Sequence, residues 1–257
     1  MKDTSRQREH FESVAARYST ARSSSNHLLL KKLLWRLFLS EPWVSEIRTG
    51  SSLLEPMCGI GEGGDYLLPL MRPQCRYKGF DYSDEMVSRA RKIHPNREIV
   101  ASDVTTYSDE TTYDAMVLIG GLHHVYSHTS DVLGILRSCL KPGALFLNIE
   151  PTHDNLLYKA IRKGIYKKNA LFDADTEQGF EYSEYVGLFK EAGFELVDCV
   201  HFGLLAYVFY YNPDAFPGLN LGAEKTVRAL FALDRLFMRT WIGRKLSFAT
   251  FAVWRKV

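Results

Sequence analysis

The chain has 257 residues, 46% of them hydrophobic, and a formal net charge of +2. This hydrophobic share is sufficient for a full core, whereas the small net charge does not favour nucleic-acid binding, which usually depends on a strongly basic domain. The polar first residues lack the apolar segment of a signal peptide, and the longest apolar stretch, Phe202–Tyr211, is too short to span a bilayer. We therefore expect a cytoplasmic protein. The four cysteines lack the C-x-x-C spacing of zinc sites and do not suggest a disulfide framework.

Apolar strand-like runs alternate with helical patterns along the chain, which predicts an α/β fold with a mostly parallel sheet. The predicted strands are Ser52–Pro56, Arg76–Asp81, Glu98–Ser102, Ala115–Ile119, Ala144–Glu150, Phe194–Tyr210 and Phe248–Arg255. Helices are predicted over Ser83–His94 and Ser130–Leu140. Gly143 follows the second of these helices, and we expect it to cap that helix in a left-handed conformation.

Two further helical segments, Asn26–Leu39 and Glu224–Lys245, lie outside this alternation. Both combine large apolar side chains with Arg and Lys, which is typical of amphipathic helices that cover a sheet. The alternative is a lid over an apolar substrate or a face that contacts a membrane surface.

A glycine-rich stretch follows the first predicted strand, since Leu53–Leu67 reads LLEPMCGIGEGGDYL. Gly59, Gly61 and Gly64 form the G-x-G-x-x-G pattern of nucleotide-binding turns, which requires a strand before it and a helix after it. Glycines let the backbone approach a ligand closely, and a helix N-terminus attracts the ligand's anionic groups. The sequence therefore predicts a nucleotide site at this loop.

An acid, Asp81, ends the next predicted strand, at the position where a carboxylate accepts hydrogen bonds from ribose hydroxyls. Helix capping is the alternative function, although Ser83 or Asp84 can provide the cap. Because we expect Asp81 at a loop edge and not in the core, its replacement should leave the fold intact.

Two cofactor classes fit this pattern, a nicotinamide dinucleotide and S-adenosylmethionine. Glu55 ends the first strand just before the loop, where its carboxylate would repel a pyrophosphate and attract an α-ammonium group. Asp103 ends the third strand and could accept a hydrogen bond from an adenine amino group, or serve only as a turn residue. Two further strands close the chain. These features favour S-adenosylmethionine.

From about Phe11 onward the sequence resembles the class I S-adenosylmethionine-dependent methyltransferases. LLEPMCGIGEG is similar to the family's first motif, with Met57 at the position of its first glycine. GFDYSDEMVSRAR, ASDV, YDAMVLIGGLHHV, LKPGALFLNIEP and EAGFE resemble the later motifs in the expected order. The resemblance implies a Rossmann-like, seven-stranded and mostly parallel sheet with flanking helices and helical lid insertions. It also implies a single methyltransferase domain over residues 1–257, divided into a helical cap (1–45), a cofactor-binding core (46–150) and a substrate lid with the closing strands (151–257).

The resemblance further implies roles for individual residues. Glu55 would hold the methionine ammonium group through water or the loop backbone, Asp81 the ribose, and Asp103 the adenine edge. Tyr18 is a candidate contact from the opening helix, or else a surface tyrosine. The implied cofactor-binding residues are Tyr18, Glu55, Cys58, Gly59, Gly61, Asp81, Tyr82, Met86, Asp103, Val104 and Gly120.

Methyl transfer mainly requires two reactants to be positioned, and a base can remove the proton of the nucleophile. His124 and His123 follow the fourth strand, and we expect His124 to act as the base and His123 to lie closer to the cofactor. Packing beside the cofactor and a hydrogen bond to the loop are the alternative roles. His128, His153 and Glu150 are lower-ranked candidates, with Glu150 facing the methyl group. The sequence does not predict a metal site.

The segment after the fifth strand carries several Lys and Arg residues beside tyrosines and Phe172. It predicts a lid for an anionic, apolar or lipid-linked small molecule, or else a solvated helix face. The expected function is methylation of a small molecule. The alternatives are an NAD(P)-dependent oxidoreductase and a non-catalytic S-adenosylmethionine-binding protein.

Overall fold

The computed structural model describes residues 24–152, 154, 179–213 and 218–257, which include a seven-stranded sheet. The strands are β1 Ser52–Pro56, β2 Arg76–Asp81, β3 Glu98–Ala101, β4 Tyr113–Ile119, β5 Leu140–Glu150, β6 Phe194–His201 and β7 Thr250–Lys256. The α-helices are α1 Ser25–Phe38, α2 Val44–Thr49, α3 Glu62–Leu67, α4 Asp84–Ile93, α5 Thr129–Ser138, α6 Tyr182–Glu191, α7 Leu205–Tyr210, α8 Glu224–Arg235 and α9 Trp241–Leu246. Two 3-10 segments cover Leu68–Leu70 and Leu122–His128.

The strand order is β3-β2-β1-β4-β5-β7-β6, and β7 runs antiparallel to both of its neighbours. The other six strands therefore end at one edge of the sheet, where β7 begins. We call this the carboxyl edge. Ligands of open α/β sheets bind outside this edge. The predicted α/β fold with a mostly parallel, seven-stranded sheet is confirmed.

Two hydrophobic cores lie on opposite faces of the sheet. Successive residues of a strand point to opposite faces, so that Leu53 enters the core beneath α1 and α2, and Leu54 enters the core beneath α5 and α6. Every residue of β1 is buried. Strands covered on both faces contain runs of apolar residues, such as Leu53 and Leu54 in β1 and Ala115–Ile119 in β4, which is why both are recognisable in the sequence.

Helix α4 begins immediately after β2 because the sequence supplies its cap. The side chain of Ser83 accepts a hydrogen bond from the backbone nitrogen of Met86 at 3.3 Å. Asp84 and Glu85 in the first turn complement the positive end of the helix. The chain thereby turns back from the carboxyl edge directly after Asp81.

The predicted strand Phe194–Tyr210 is wrong in its second half, because β6 ends at His201 and the apolar residues after it form α7. The buried carboxylate of Asp234 accepts hydrogen bonds from the backbone nitrogens of Leu205 (3.1 Å) and Ala206 (2.7 Å), and so caps α7. This cap lies far away in sequence. A short apolar run by itself does not distinguish a strand from a buried helix.

The predicted helix Glu224–Lys245 is two helices, α8 and α9, separated by a turn. The side chain of Thr240 caps α9 by accepting from the backbone nitrogen of Gly243 at 3.1 Å. The carbonyl of Met238 accepts from the backbone nitrogen of His201 at 2.8 Å, which fixes the turn to the end of β6.

The expected cap at Gly143 is also wrong. Gly143 has a positive φ of 75°, but α5 ends earlier, at Ser138. Gly143 lies instead within β5, where the register with β4 is irregular between Tyr113 and Ala115. Its conformation therefore belongs to a strand irregularity. Among the described residues, no helix is long and apolar enough to cross a membrane.

Candidate functional site at the carboxyl edge

The glycine-rich loop links β1 to α3 and folds back on the end of β2. The backbone nitrogen of Cys58 donates to the carbonyl of Phe80 at 2.9 Å, and that of Gly61 donates to the carbonyl of Cys58 at 2.8 Å. Gly59 and Gly61 have φ values of 53° and 82°, which glycine adopts without steric cost. The strand–loop–helix context required for a nucleotide-binding turn is thus present.

Met57 adopts the same left-handed region, with a φ of 50°, although it carries a side chain. A non-glycine residue there is strained by about 1–2 kcal/mol. Its sulfur packs so closely against Gly121 that a Cβ at that glycine would lie 2.8 Å away. Met57 therefore combines backbone strain with a contact between the loops that follow β1 and β4.

Glu55 is buried and organises the start of α3. Its carboxylate accepts hydrogen bonds from the backbone nitrogens of Gly63 (2.7 Å) and Gly64 (2.8 Å) and from the hydroxyl of Tyr77 (2.8 Å). Burial raises the pKa of Glu55 to about 7, against the opposing effect of these donors. Both of its oxygens accept hydrogen bonds from these donors, so Glu55 holds the start of α3, and its contact with an ammonium group stays a prediction.

Asp81 is buried at the end of β2, which corrects the expectation that it lies outside the core. Its two carboxylate oxygens accept from the backbone nitrogens of Gly59 at 2.9 Å and Ser83 at 3.0 Å. Burial raises its pKa, and these donors oppose the shift. Each oxygen accepts more than one hydrogen bond, so the carboxylate can still receive ribose hydroxyls.

The remaining predicted adenine-side residues follow β2 and β3. The methyl carbon of Met86 lies 3.5 Å from the position that a Cβ on Gly59 would occupy, so Met86 contacts the loop. Oδ1 of Asp103 accepts from the backbone nitrogen (2.8 Å) and the hydroxyl (2.7 Å) of Thr105, as a turn residue does. Its Oδ2 accepts no hydrogen bond within the described part of the chain. Two further predicted residues lie beside these, buried Val104 and half-buried Tyr82.

A second loop with a positive φ follows β4, where Gly120 has a φ of 65°. The backbone nitrogen of Gly120 donates to the carbonyl of Ile149 at 2.7 Å, which fixes the loop to the end of β5. The structure thus brings the predicted residues on β1 to β4 to one edge of the sheet.

Glu150 ends β5 and is fully buried. Its carboxylate accepts from the backbone nitrogens of Gly121 (3.1 Å) and Leu122 (2.9 Å) and lies 2.9 Å from the ring Nδ1 of His123. Burial raises its pKa to about 7, and the backbone donors, Asn148 and His124 oppose the shift. The carboxylate thus holds the loop after β4 and one imidazole, and the expectation that Glu150 faces the methyl group stays a prediction.

A buried hydrogen-bond chain extends behind Glu150. Asn148 donates to Glu150 at 3.2 Å and accepts from the hydroxyl of Tyr185 at 2.7 Å. The indole nitrogen of Trp254 donates to the same hydroxyl at 3.2 Å. Sequence analysis missed these residues because isolated Asn, Tyr and Trp residues in apolar runs carry no pattern.

His124 lies beside His123, with ring centroids 3.9 Å apart, and its backbone nitrogen donates to Gly121 at 3.0 Å. His128 is exposed. Tyr18, His153 and the Lys- and Arg-rich segment with Phe172 lie outside the described residues. No group of His, Cys, Asp and Glu among the described residues could hold a metal ion.

Sequence analysis also missed two contacts that support the glycine-rich loop. Lys31 in α1 forms an ion pair with Glu62, and Arg97 donates to the carbonyl of Gly61 at 2.7 Å. The rings of Trp35 and Tyr66 stack at 4.4 Å, so α1 packs directly on α3.

A third group of side chains lies at the end of β6. The rings of Tyr182 and His201 are 4.9 Å apart, and the guanidinium carbon of Arg244 lies 5.4 Å from the centre of the Tyr182 ring. Burial, assisted by the nearby Arg244 charge, lowers the pKa of His201 to about 4. His201 is therefore neutral near pH 7.

Residues 54–146 match a family model described as a methyltransferase domain. The fold is shared by the protein solved in complex with the Haloferax volcanii Trm112 methyltransferase activator (17% identity, TM-score 0.63, 96% of each chain covered). It is also shared by S-adenosylmethionine-dependent methyltransferases from Archaeoglobus fulgidus (15% identity, TM-score 0.58, 91% of this chain and 95% of that chain) and Mesorhizobium loti (15%, 0.55, 88% and 98%). A comparison with curated proteins found no match.

Proposed function

We infer that this chain, a class I S-adenosylmethionine-dependent methyltransferase, methylates a small molecule that carries an apolar or anionic portion. The observation that carries this proposal is the connection between β6 and β7, which starts and ends at the carboxyl edge and contains α7, α8 and α9. Buried side chains of α7 and α8 belong to the core beneath α1, so these helices pack on that face of the sheet, next to the edge. Helices in this position suit a small acceptor better than an extended polymer.

Contacts with α1 hold the connection between β6 and β7 in place. The side-chain nitrogen of Asn26 donates to the side chain of Asn220 at 3.1 Å, and Nδ1 of His27 lies 3.2 Å from the carbonyl of Tyr210. Helix α1 thus connects α7 to the end of the glycine-rich loop, where Lys31 pairs with Glu62 at the start of α3. The acceptor site and the cofactor loop would then share one wall.

The group at the end of β6 supports the proposed acceptor class. The buried, neutral His201 packs against Tyr182 and gives this end of β6 an apolar, aromatic character, and Arg244, which lies over the Tyr182 ring, offers a positive charge to an anionic acceptor. Arg244 is already within 3.5 Å of Asp154, so an acceptor anion would compete with that carboxylate.

The cofactor site fits the residues present. The loop has glycines where its backbone must pass close to a ligand, and Asp81 retains acceptor capacity for ribose hydroxyls. When bound, S-adenosylmethionine supplies a methyl group on a sulfonium sulfur, which is an activated leaving group. The protein then has to orient the acceptor in line with that methyl group and receive its proton.

The geometry favours His123 over His124 as the base, in contrast to the ranking from sequence. A carboxylate at Nδ1 holds the proton of a neutral imidazole on that nitrogen, so Nε2 of His123 becomes the basic nitrogen. Glu150 would thus position His123 without touching the acceptor.

The test is transfer of label from methyl-labelled S-adenosylmethionine. Phenols, amines, carboxylic acids and lipids would be offered in separate pools, beside bulk RNA and unfolded protein. We expect label in a small-molecule pool and its loss with Asp81→Ala, while Asp84→Ala, which alters an exposed acid nearby, retains activity. Label found solely in RNA or protein would overturn the proposal.

A further inference from the structure

The turn between α8 and α9, together with the helix ends beside it, exposes a group of large apolar side chains. Trp241 is 73% exposed and Leu236 is 68% exposed, the highest values among its members. We call this group the apolar patch; it consists of Leu205, Leu233, Leu236, Phe237, Trp241 and Leu246.

Hydrogen bonds and close packing join the segments that carry the patch. The buried side chain of Asp234 in α8 accepts from the backbone nitrogen of Leu205, so the start of α7 lies against the end of α8. Helix α9 packs on the turn so closely that a Cβ at Gly243 would clash with the carbonyl oxygen of Phe237. The carbonyl of Met238 in this turn accepts a hydrogen bond from the backbone nitrogen of His201, which places the patch beside the carboxyl edge.

The charges around the patch are predominantly positive. Arg235 is exposed and has no carboxylate partner among the described residues. Arg244 and Lys245 share the carboxylate of Asp154, at 3.5 and 3.2 Å. The acid within α8 nearest to the patch, Asp234, is buried and engaged by backbone donors. Arg239, in the turn itself, pairs with Asp198 and Glu41, so the positive excess comes from Arg235 and from the two cations that share Asp154. The patch therefore combines exposed apolar side chains with a small excess of positive charge around it.

We propose that the apolar patch is a docking surface for an anionic lipid bilayer. Trp and Leu side chains enter the interfacial region of a bilayer, and Arg and Lys near them attract anionic headgroups. A second copy of the chain is the poorer occupant, because a two-fold dimer would place the excess positive charges around the two patches against each other. The inference is independent of the identity of the methyl acceptor.

The tryptophans offer a direct probe of docking. Trp35, Trp43 and Trp254 are buried, so Trp241 is the tryptophan that a change of solvent reaches first. We expect vesicles of phosphatidylcholine with phosphatidylserine to shift the tryptophan emission to shorter wavelength and to protect it from acrylamide. Pure phosphatidylcholine should have a much smaller effect, and added salt should weaken binding. In Trp241→Phe the shift should vanish while sedimentation with the vesicles persists.

Matched variants distinguish docking through the apolar patch from non-specific adsorption to vesicles. The double variant Trp241→Ser, Leu236→Ser should weaken sedimentation with the anionic vesicles by at least about tenfold, since each buried apolar side chain contributes to interfacial binding. Ile93→Ser removes an apolar side chain that is 55% exposed on α4, distant from the patch in the fold, and should bind as the wild type does. Unchanged melting temperatures would show that both variants fold.

Three results would overturn the proposal. The first is equal binding of the wild type and the double variant, and the second is no binding by the wild type. The third is a dimer in sedimentation analysis that Leu236→Ser alone dissociates, because the patch would then be a self-association surface. Failure of methyl transfer to every small molecule would leave these binding results unaffected.

Discussion

At the scale of single residues, three strands end in a buried carboxylate that binds the loop following a strand. Glu55 binds the start of α3, Asp81 binds the glycine-rich loop and Glu150 binds the loop after β4. The sequence analysis identified these acids as candidate ligand contacts. Their partners in the structure are backbone nitrogens, which have no sequence signature. Each of these acids, predicted from the sequence to contact a ligand, thus also shapes a loop at the candidate site.

Replacement of Asp81 by Ala should weaken the binding of S-adenosylhomocysteine by about 1.5–3 kcal/mol, the scale of hydrogen bonds to a charged group. It should also lower the free energy of unfolding by about 1–3 kcal/mol, because the backbone nitrogens of Gly59 and Ser83 lose their acceptor. Calorimetric titration and urea unfolding measure the two effects, with Asp84→Ala as the control. Unchanged affinity in the Asp81 variant would exclude the ribose role.

The buried Glu55 predicts a pH-dependent stability. Its pKa is raised from 4.5 to about 7 by burial, so between these values the folded state binds more protons at this site than the unfolded state does. The contribution of Glu55 to stability should therefore be greatest near pH 4.5 and fall as the pH rises through about 7. Urea unfolding from pH 5 to pH 8 measures it as the difference between wild type and Glu55→Gln. A difference that grows with pH would show that the three donors lower the pKa instead.

The two adjacent histidines make separable contributions to turnover. We expect His123→Ala, and Glu150→Gln through the lost anchor at Nδ1, to lower kcat by about 10²–10⁴-fold, the usual contribution of a general base. His124→Ala should have the smaller effect, and the affinity for S-adenosylhomocysteine should stay near the wild-type value in His123→Ala. Single-turnover rates and calorimetry check these expectations. If His124→Ala alone abolishes turnover, the ranking from sequence was correct.

At the scale of elements, the glycine-rich loop contains a strained residue where the related motif has glycine. Met57→Ala and Met57→Gly both remove the side chain, but Gly alone also removes the strain of the positive φ. We therefore expect the Gly variant to be more stable than the Ala variant by about 1 kcal/mol. Gly134 in α5 is the control, because a Cβ there meets nothing within 4 Å and Ala should be the more stable residue at a helical position. Equal stability of the two Met57 variants in urea unfolding would indicate a loop that relaxes.

The helices and strands also show which parts of the fold could be predicted from the sequence. β1 and β2 were predicted with their observed ends, because their apolar residues and the acids Glu55 and Asp81, at or next to the strand ends, are local signals in the sequence. Helix α7 was missed because its cap is supplied by Asp234, which lies far away in sequence. The break between α8 and α9 was missed because the turn is held by His201 of another strand. These two errors therefore fall where long-range hydrogen bonds override the local pattern, whereas the wrong cap at Gly143 reflects an irregularity within β5.

At the scale of the whole molecule, the two cores keep the sheet rigid while the loops at one edge carry the candidate site. Phe38 stacks on Phe251 of β7 at 4.1 Å, and Phe189 stacks on Trp254 of the same strand at 4.3 Å on the other face. The antiparallel β7 thus packs against α1 on one face of the sheet and against the core beneath α5 and α6 on the other. Ligand binding at the carboxyl edge should then stabilise the fold as a unit.

Saturating S-adenosylhomocysteine should raise the melting temperature of the whole chain. A ligand at 100 times its dissociation constant stabilises the native state by about 2.7 kcal/mol, because it binds only that state. For a protein of this size each kcal/mol corresponds to roughly 2–4 °C, so a shift of about 5–10 °C is expected. NADH at the same concentration is the control and should give no shift, since the cofactor assigned to the methyltransferase domain is S-adenosylmethionine. Asp81→Ala should reduce the shift at a fixed ligand concentration, because a lower affinity decreases the mass-action term. A shift with NADH and none with S-adenosylhomocysteine would contradict the assigned cofactor, whereas a shift that Asp81→Ala leaves intact would contradict only the ribose contact.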